Sequence, residues 1–307
     1  MISILTRSPF IFSKENIKDR VKKILKIQRG PSAVLDGLTS GLKKINEPFQ
    51  INPSIREISE TVGVLSGIGA LKLAIKLKKR GLIKHLTAGP NIIVMPHEYN
   101  KIICDPNIDK VLVPSEWVKN LYLDQAPEIS SKVFVWPAGT NMDSIFFDSN
   151  RTECIIYKKN VPEEIYTSII KDLDNRNLKY NLLEYGKFKK EDYFRLLEKS
   201  KFMIYLQNTE SQGLALQEAW ARNVPTLVWN IGHVLYLDKF HIKDKISAPY
   251  LNERSGMFFQ NEKDFSSKID IFIKNLDKFD PQKYCAETLS DIISAKMYAN
   301  IVNEIKR

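Results

Sequence analysis

The chain reads as an α/β protein built from two Rossmann-like domains with mainly parallel sheets, and three observations carry that reading. Short apolar runs of strand length alternate with amphipathic segments of helix length along most of the sequence, the pattern of βαβ units. Its 307 residues suit two domains of ordinary size, each long enough to bury a core. The polar run Asp148-Ser149-Asn150-Arg151-Thr152-Glu153 separates the two alternating halves, placing the domains at 1–148 and 149–307, with a last helix that can cross back to the first domain.

In the first half, Met1–Leu5 is a weak strand and Lys14–Leu25 a basic helix. Arg29-Gly30-Pro31-Ser32 is a turn that opens a helix over Ala33–Ile45. Val62–Leu65 is a strand, followed by Gly67, Gly69 and a second basic helix. Asn91–Met95 (NIIVM) reads as a strand ending in Pro96-His97-Glu98. Lys110–Val113 is the next strand, and Ser115 is placed to cap a helix over Glu116–Gln125. Val133–Trp136 closes this half. In the second half, Cys154–Tyr157, Tyr180–Glu184, Lys201–Gln207 and Thr226–Asn230 read as strands. Pro162–Asn175, Glu191–Ser200, Gly213–Arg222, Phe265–Asn275 and Leu289–Ile305 read as helices.

Composition narrows the class. Hydrophobic residues at 43% and charged residues at 27% are globular values. Three scattered cysteines imply no disulfide framework and point to a reducing, cytoplasmic compartment. Met1–Phe12 is too short and interrupted for a secretory signal or a membrane span. The net charge is +10, and the first 147 residues hold 21 lysines and arginines against 13 carboxylates. The densest stretch, Ala70–His85 (ALKLAIKLKKRGLIKH), interleaves leucine and isoleucine with six cations. Such a helix can lie on the anionic inner face of a membrane or be an ordinary solvated face. No zinc finger, RNA-binding signature or aromatic-interleaved basic motif is present, so no nucleic-acid partner is expected.

The most informative segment is Asn208–Asn230, NTESQGLALQEAWARNVPTLVWN. It is the loop–helix–strand part of a strand–loop–helix–strand unit, and its loop lies at the carboxyl end of a strand, where open parallel sheets bind ligands. Glu210 precedes the helix, beside its positive end. Glu218 lies about two turns further on, flanked by Leu214, Leu216, Ala219 and Trp220. A carboxylate in that setting needs a partner, and a sugar hydroxyl or ribose is one. The plain alternative is two helix-compatible glutamates at a chance spacing.

Those residues resemble the retaining GT-B-fold glycosyltransferases with an E-x7-E motif, the "glycosyl transferases group 1" or family 4-like group. ESQGLALQE matches the motif, and AWARNVPTLVW resembles the helix end and strand that follow it. VPSEWVKNLYL and VFVWPAGTNMDSIFF resemble two landmarks of the group's N-terminal domain. The resemblance implies a GT-B architecture whose two domains face a cleft, with the acceptor on the N-terminal side and the nucleotide sugar on the C-terminal domain. By it, Glu210 contacts donor-sugar hydroxyls and Glu218 the ribose. The backbone of Ser211, Gln212, Gly213 and Leu214 faces the diphosphate or sugar, and Gly186 marks the loop near the base. The group has an Arg at the end of the first C-domain strand and a Lys several residues later; here Lys158-Lys159 follow the strand, and Pro162-Glu163-Glu164 stand where the second cation belongs. Lys158 is the better candidate for neutralising the diphosphate, with Lys159 beside it, although both can be plain surface lysines. His97, in the Pro-His-Glu turn, is either a donor or acceptor contact or a structural histidine. Gly30 and Ser32 mark close approach to substrate on the acceptor side, or only a turn and a helix cap.

The expected activity is metal-independent, hexosyltransferase-like transfer from a nucleotide-diphosphate sugar to a glycan or lipid-linked hydroxyl, with retention, as in surface polysaccharide or glycolipid assembly. No cofactor is expected beyond the donor substrate. Asp172-Leu173-Asp174 spells the D-x-D of metal-dependent transferases, but falls at a helix end rather than after a strand, so no bound metal is expected. Two rivals remain open: a GT-B-fold sugar-nucleotide epimerase, and a catalytically silent nucleotide-sugar-binding protein.

Overall fold

The computed structural model describes residues 1–7, 30–143, 151–236, 240–243 and 245–304. The helix expected over Lys14–Leu25 lies outside them. The chain forms two compact units, Met1–Asn141 with Asp291–Arg307, and Met142–Ser290.

In the first unit, strands β1 (Ile2–Leu5), β2 (Phe49–Ile51), β3 (Thr61–Ser66), β4 (His85–Asn91), β5 (Lys110–Val113) and β6 (Val133–Val135) form a six-stranded sheet in the order β2-β1-β3-β4-β5-β6. Every pairing is parallel. Helices α1 (Gly30–Lys44), α2 (Ile68–Lys79) and α3 (Glu116–Gln125) connect the strands. The middles of the central strands, Val62–Leu65 of β3 and Val111–Val113 of β5, are buried on both faces.

Asn91–Met95 is not a strand. β4 ends at Asn91, having filled the place between β3 and β5 with Leu86, Thr87 and Ala88. The apolar residues beyond it are buried as a loop: Ile93 and Met95 are covered, and the Tyr122 hydroxyl donates to the Ile93 carbonyl at 3.2 Å. Apolarity there marks burial rather than sheet pairing. The second basic helix stops at Lys79, before Gly81 at φ +76°, and His85 already belongs to β4. Ser115 has the extended backbone of a cap but makes no capping hydrogen bond.

The last helix, here α9 (Asp291–Asn303), belongs to the first unit. It lies against α1 at Gly41 and against β3 at Gly63, where a Cβ would run into the Tyr298 hydroxyl. A Cβ on Gly41 would sit 2.0 Å from the Asp291 carbonyl oxygen, and one on Gly37 would sit 2.3 Å from that of Gly139. Asp291 is almost fully buried and accepts from Lys44 Nζ at 2.7 Å and Ser40 Oγ at 2.6 Å. Trp136 Nε1 donates to the Ser294 carbonyl, and its ring meets Tyr298 at 5.1 Å. At the other end of α9, the buried Lys110 ammonium donates to the carbonyls of Ile301 and Glu304, satisfying acceptors that a helix end leaves open.

The second unit holds a five-stranded parallel sheet in the order β13-β10-β9-β7-β8. Its strands are β7 (Glu153–Lys158), β8 (Tyr180–Glu184), β9 (Ser200–Leu206), β10 (Thr226–Trp229) and β13 (Gly256–Phe259). Helices α4 (Glu163–Asn175), α5 (Lys190–Lys199), α6 (Leu214–Ala221), α7 (Glu262–Lys274) and α8 (Pro281–Thr288) flank it. Two clusters cover its faces, one around Tyr157, Tyr193, Tyr205 and Trp220, the other around Ile156, Phe202, Phe259 and Phe272. An antiparallel hairpin, β11 (His233–Tyr236) with β12 (Phe240–Lys243), stands apart from the sheet. The hairpin, β2, β13 and α8 have short or mixed sequences with no periodicity to reveal them. From β7 the chain goes outward to β8, then returns past β7 to β9, so the strand order reverses between β7 and β9. Such a switch point is where open α/β sheets form a ligand crevice, beyond the carboxyl ends of the strands.

The α1–α9 contact leaves no room for a side chain. Gly41→Ala is expected to lose about 1–3 kcal/mol, the cost of overpacking a close contact. Urea unfolding checks this, and an unchanged midpoint contradicts the packing described.

Candidate active site at the carboxyl ends of β7 and β9

The pairing of β7 with β9 sets Tyr157 opposite Tyr205 and Lys158 opposite Leu206. The two tyrosine rings stack at 4.9 Å with 22° between their planes. Beyond the strand ends the pairing continues into the loops. Lys159 N donates to the Leu206 carbonyl, Asn208 N to the Asn160 carbonyl, and the buried Gln207 amide links Asn160 N to the Thr209 carbonyl. The loop carrying Glu210 is thus sewn to the loop carrying Lys159.

Glu210 is the centre of this arrangement. One of its oxygens, Oε1, accepts from Lys159 Nζ at 2.7 Å and from the Tyr205 hydroxyl at 2.7 Å. Its own N–H donates to the Ile246 carbonyl at 2.7 Å. The side chain is only 14% exposed, so a charged partner is needed and is supplied. Lys159 also lies over the exposed Tyr185 ring, 4.6 Å from its centroid. Lys158 points elsewhere: it pairs with Glu163 Oε2 at 2.8 Å and sits 3.7 Å over the Tyr166 ring. The structure therefore brings Lys159, not Lys158, to Glu210.

Gly213 caps α6 with φ +83°, a left-handed conformation that glycine adopts without strain. Leu214 is the first residue of the helix, Ser211 is exposed, and buried Gln212 donates from Nε2 to Gln217 Oε1 at 3.1 Å. The first turn of α6 presents backbone N–H groups without intrahelical partners, together with the positive end of the helix dipole. Glu218 is 17% exposed and pairs with Lys190 Nζ at 2.9 Å. Lys190 and Arg222 both lie on the Phe194 ring, at 5.2 and 3.7 Å. Gly186, φ +84° with open space around it, turns the chain from β8 toward α5. His97 is exposed after β4 in the first unit, and Gly30 and Ser32 are exposed at the start of α1. Asp172 pairs with Arg176, and Asp174 accepts from the Tyr180 hydroxyl, both at the end of α4.

The aromatic floor sharpens the electrostatics. Burial, reinforced by the Glu210 charge, raises the phenols of Tyr157 and Tyr205 well above their usual range. Burial and the Glu218 charge do the same for Tyr193, whose hydroxyl donates to the Ala215 carbonyl at 2.6 Å. These phenols stay neutral donors at any physiological pH. Burial draws the Arg222 guanidinium down, against the opposing pull of Glu218. The arrangement can neutralise an anion at Lys159, offer N–H groups to it at α6, and hold hydroxyl groups on Glu210 and Glu218.

Tyr205 and Lys190 escape a sequence reading. Tyr205 is the last aromatic of an apolar strand, and Lys190 is one of several lysines before a helix. Neither stands at a diagnostic spacing.

No family model matches the chain, and no curated protein matches it in sequence. Solved structures do match it. HepE of Anabaena, in complex with UDP and glucose, aligns with a TM-score of 0.61 at 10% identity over 99% of each chain. The lipopolysaccharide outer core galactosyltransferase WaaB, in its apo form, aligns at 0.58 and 11% identity over 98% of this chain and 99% of its own. Sucrose-phosphate synthase from Thermosynechococcus elongatus aligns at 0.53 and 9% identity over 97% of each chain. At these identities the likeness is one of fold, and the fold is GT-B.

The raised phenols carry a pH dependence. The folded state keeps these protons, whereas unfolded tyrosines release them near pH 10. Their contribution is complete below about pH 10 and falls above it, by about 1.4 kcal/mol per pH unit for each phenol that stays protonated only when folded. Urea midpoints measured from pH 9 to 11.5 should fall steeply above 10, with a shallower fall in Tyr157→Phe.

Proposed function

We propose that this chain is a glycosyltransferase that moves a sugar from a nucleotide-diphosphate sugar to a hydroxyl group. The observation that carries the proposal is the Lys159–Glu210 pair at the switch point of the second sheet, beside the amino end of α6. A cation and helix N–H groups favour a diphosphate leaving group, and a carboxylate next to them suits donor-sugar hydroxyls. Glu218, about one turn into α6, takes the ribose. Lys159 is the diphosphate contact; Lys158, held by Glu163 and Tyr166, supports the end of β7. Gly186 borders the base. HepE carries UDP in its structure, which makes UDP-sugars the first donors to test.

In the reaction the bond from the anomeric carbon to the diphosphate oxygen breaks and a bond to the acceptor oxygen forms. The acceptor proton passes to the departing phosphate, and the new bond forms on the face the leaving group vacates, with retention. His97, Gly30 and Ser32 serve the acceptor side. That acceptor is a glycan or a lipid-linked sugar, as in surface polysaccharide or glycolipid assembly. α2 offers it a membrane-facing stripe. Lys72, Lys76 and Arg80 are exposed at successive helical turns, with Leu82 half-exposed just beyond. Lys78, Lys79 and Lys84 are already engaged with Asp109, Asp105 and Glu60. No helix among the described residues is long and apolar enough to cross a membrane, so contact would be with the surface.

Two experiments test this. UDP is expected to raise the melting temperature, since a ligand that binds only the folded state stabilises it. Glu210→Gln is expected to melt as the wild type does while releasing UDP from its donor about a hundredfold more slowly, the scale of a lost transition-state contact. Near-normal turnover in that variant removes Glu210 from the chemistry, and conversion of the donor into an epimeric nucleotide sugar, with no acceptor product, favours the epimerase. For the membrane face, co-sedimentation with vesicles containing 30% (roughly) phosphatidylserine should be lost in Lys72→Glu/Lys76→Glu/Arg80→Glu, each cation contributing about 1 kcal/mol; retention by the triple variant rules the stripe out.

A further inference from the structure

Glu210 Oε1 has two donors that differ in kind. Lys159 brings a charge on a four-carbon stem, 21% exposed, with its ammonium resting over the Tyr185 ring. Such a side chain can follow an anion. The Tyr205 hydroxyl cannot. Its ring is 1% exposed, stacked on Tyr157 and enclosed by the cluster that includes Met203, Tyr193 and Leu216. It is carried on β9, with β7 on one side and β10 on the other, and has only two side-chain torsions. Because both donors meet the same oxygen, each alone can hold the carboxylate, but only one of them stays in place.

We propose that Tyr205 is a positioning residue: it holds the Glu210 carboxylate in place when Lys159 leaves it for the diphosphate of the donor. This rests on the transferase reading above. Without the phenol, Glu210 Oε1 loses the donor that is fixed in place and shifts with Lys159, losing its aim at the sugar. A reacting group displaced by about 1 Å can cost a hundredfold in rate. The phenol suits the task because burial and the Glu210 charge keep it protonated, so it remains a donor wherever the enzyme works. Neither the E-x7-E spacing nor any other motif in the sequence marks this residue.

The test is Tyr205→Phe, which removes one hydroxyl and keeps the ring stack. UDP affinity by calorimetry is expected to stay within about threefold of wild type, because Lys159 is intact. Release of UDP from UDP-glucose, UDP-galactose or UDP-N-acetylglucosamine, whichever the wild type uses, is expected to fall at least tenfold in kcat with little change in KM. A purely structural role would instead lower the melting temperature and weaken UDP binding together with turnover. A double-mutant cycle gives a second readout: in a Glu210→Ala background, Tyr205→Phe should cost nothing further, since the group it positions is gone. Wild-type kcat in Tyr205→Phe, or full additivity with Glu210→Ala, overturns the positioning role while leaving the transferase reading standing. A wild-type protein that neither binds UDP nor releases it from any of the three donors overturns both.

Discussion

Tyr157 opposite Tyr205, and Lys158 opposite Leu206, is the register on which the candidate site depends. Side chains alternate faces along a strand, so a slip of one residue would turn Tyr205 to the other face of the sheet and carry its hydroxyl away from Glu210. The stacked rings and the apolar cluster beneath them make that slip expensive. The backbone links beyond the strand ends, through Gln207, Asn160 and Lys159, extend the same register into the loops. A buried, two-sided strand pair thereby places a cation from one loop against a carboxylate from another.

The second constraint is the end of the chain. α9 belongs to the first unit although it follows the whole of the second. Its docking relies on glycines where α1 and β3 approach it, on Asp291 with Lys44 and Ser40, and on Lys110 at its far end. Asp291 and Lys110 are buried charges with specific partners, which makes them devices for placing the helix rather than large sources of stability. The first unit is therefore closed by a segment distant in sequence, and such non-local contacts leave no trace in local patterning.

The alternation of strands and helices, and the position of the glutamate-bearing loop after β9, were legible because hydrophobic periodicity reports secondary structure directly. The run NIIVM misled for a related reason: it is apolar because Ile93 and Met95 are buried, and burial without sheet pairing looks the same in sequence. β2, β13 and the β11–β12 hairpin were not legible, being three or four residues long and defined by what they pair with. At the site, Glu210 and Glu218 stood out through their spacing and their place around a helix start. Their protein partners did not. Lys159 and Lys158 are adjacent lysines with no local signal to rank them, and only the loop geometry turns one toward Glu210 and the other toward Glu163.

The amino-acid sequence by itself determined the α/β class, the two-part organisation and the two carboxylates, because these follow from periodicity, length and local motif. Tertiary structure alone decided which groups hold those carboxylates: Lys159 and Tyr205 for Glu210, and Lys190 for Glu218. Lys159 and Glu210 are 51 residues apart and meet because their strands are neighbours at the switch point. Tyr205 is five residues from Glu210, yet its role comes from the burial that fixes its ring and keeps its proton. Both are properties of the folded sheet, which no local spacing encodes.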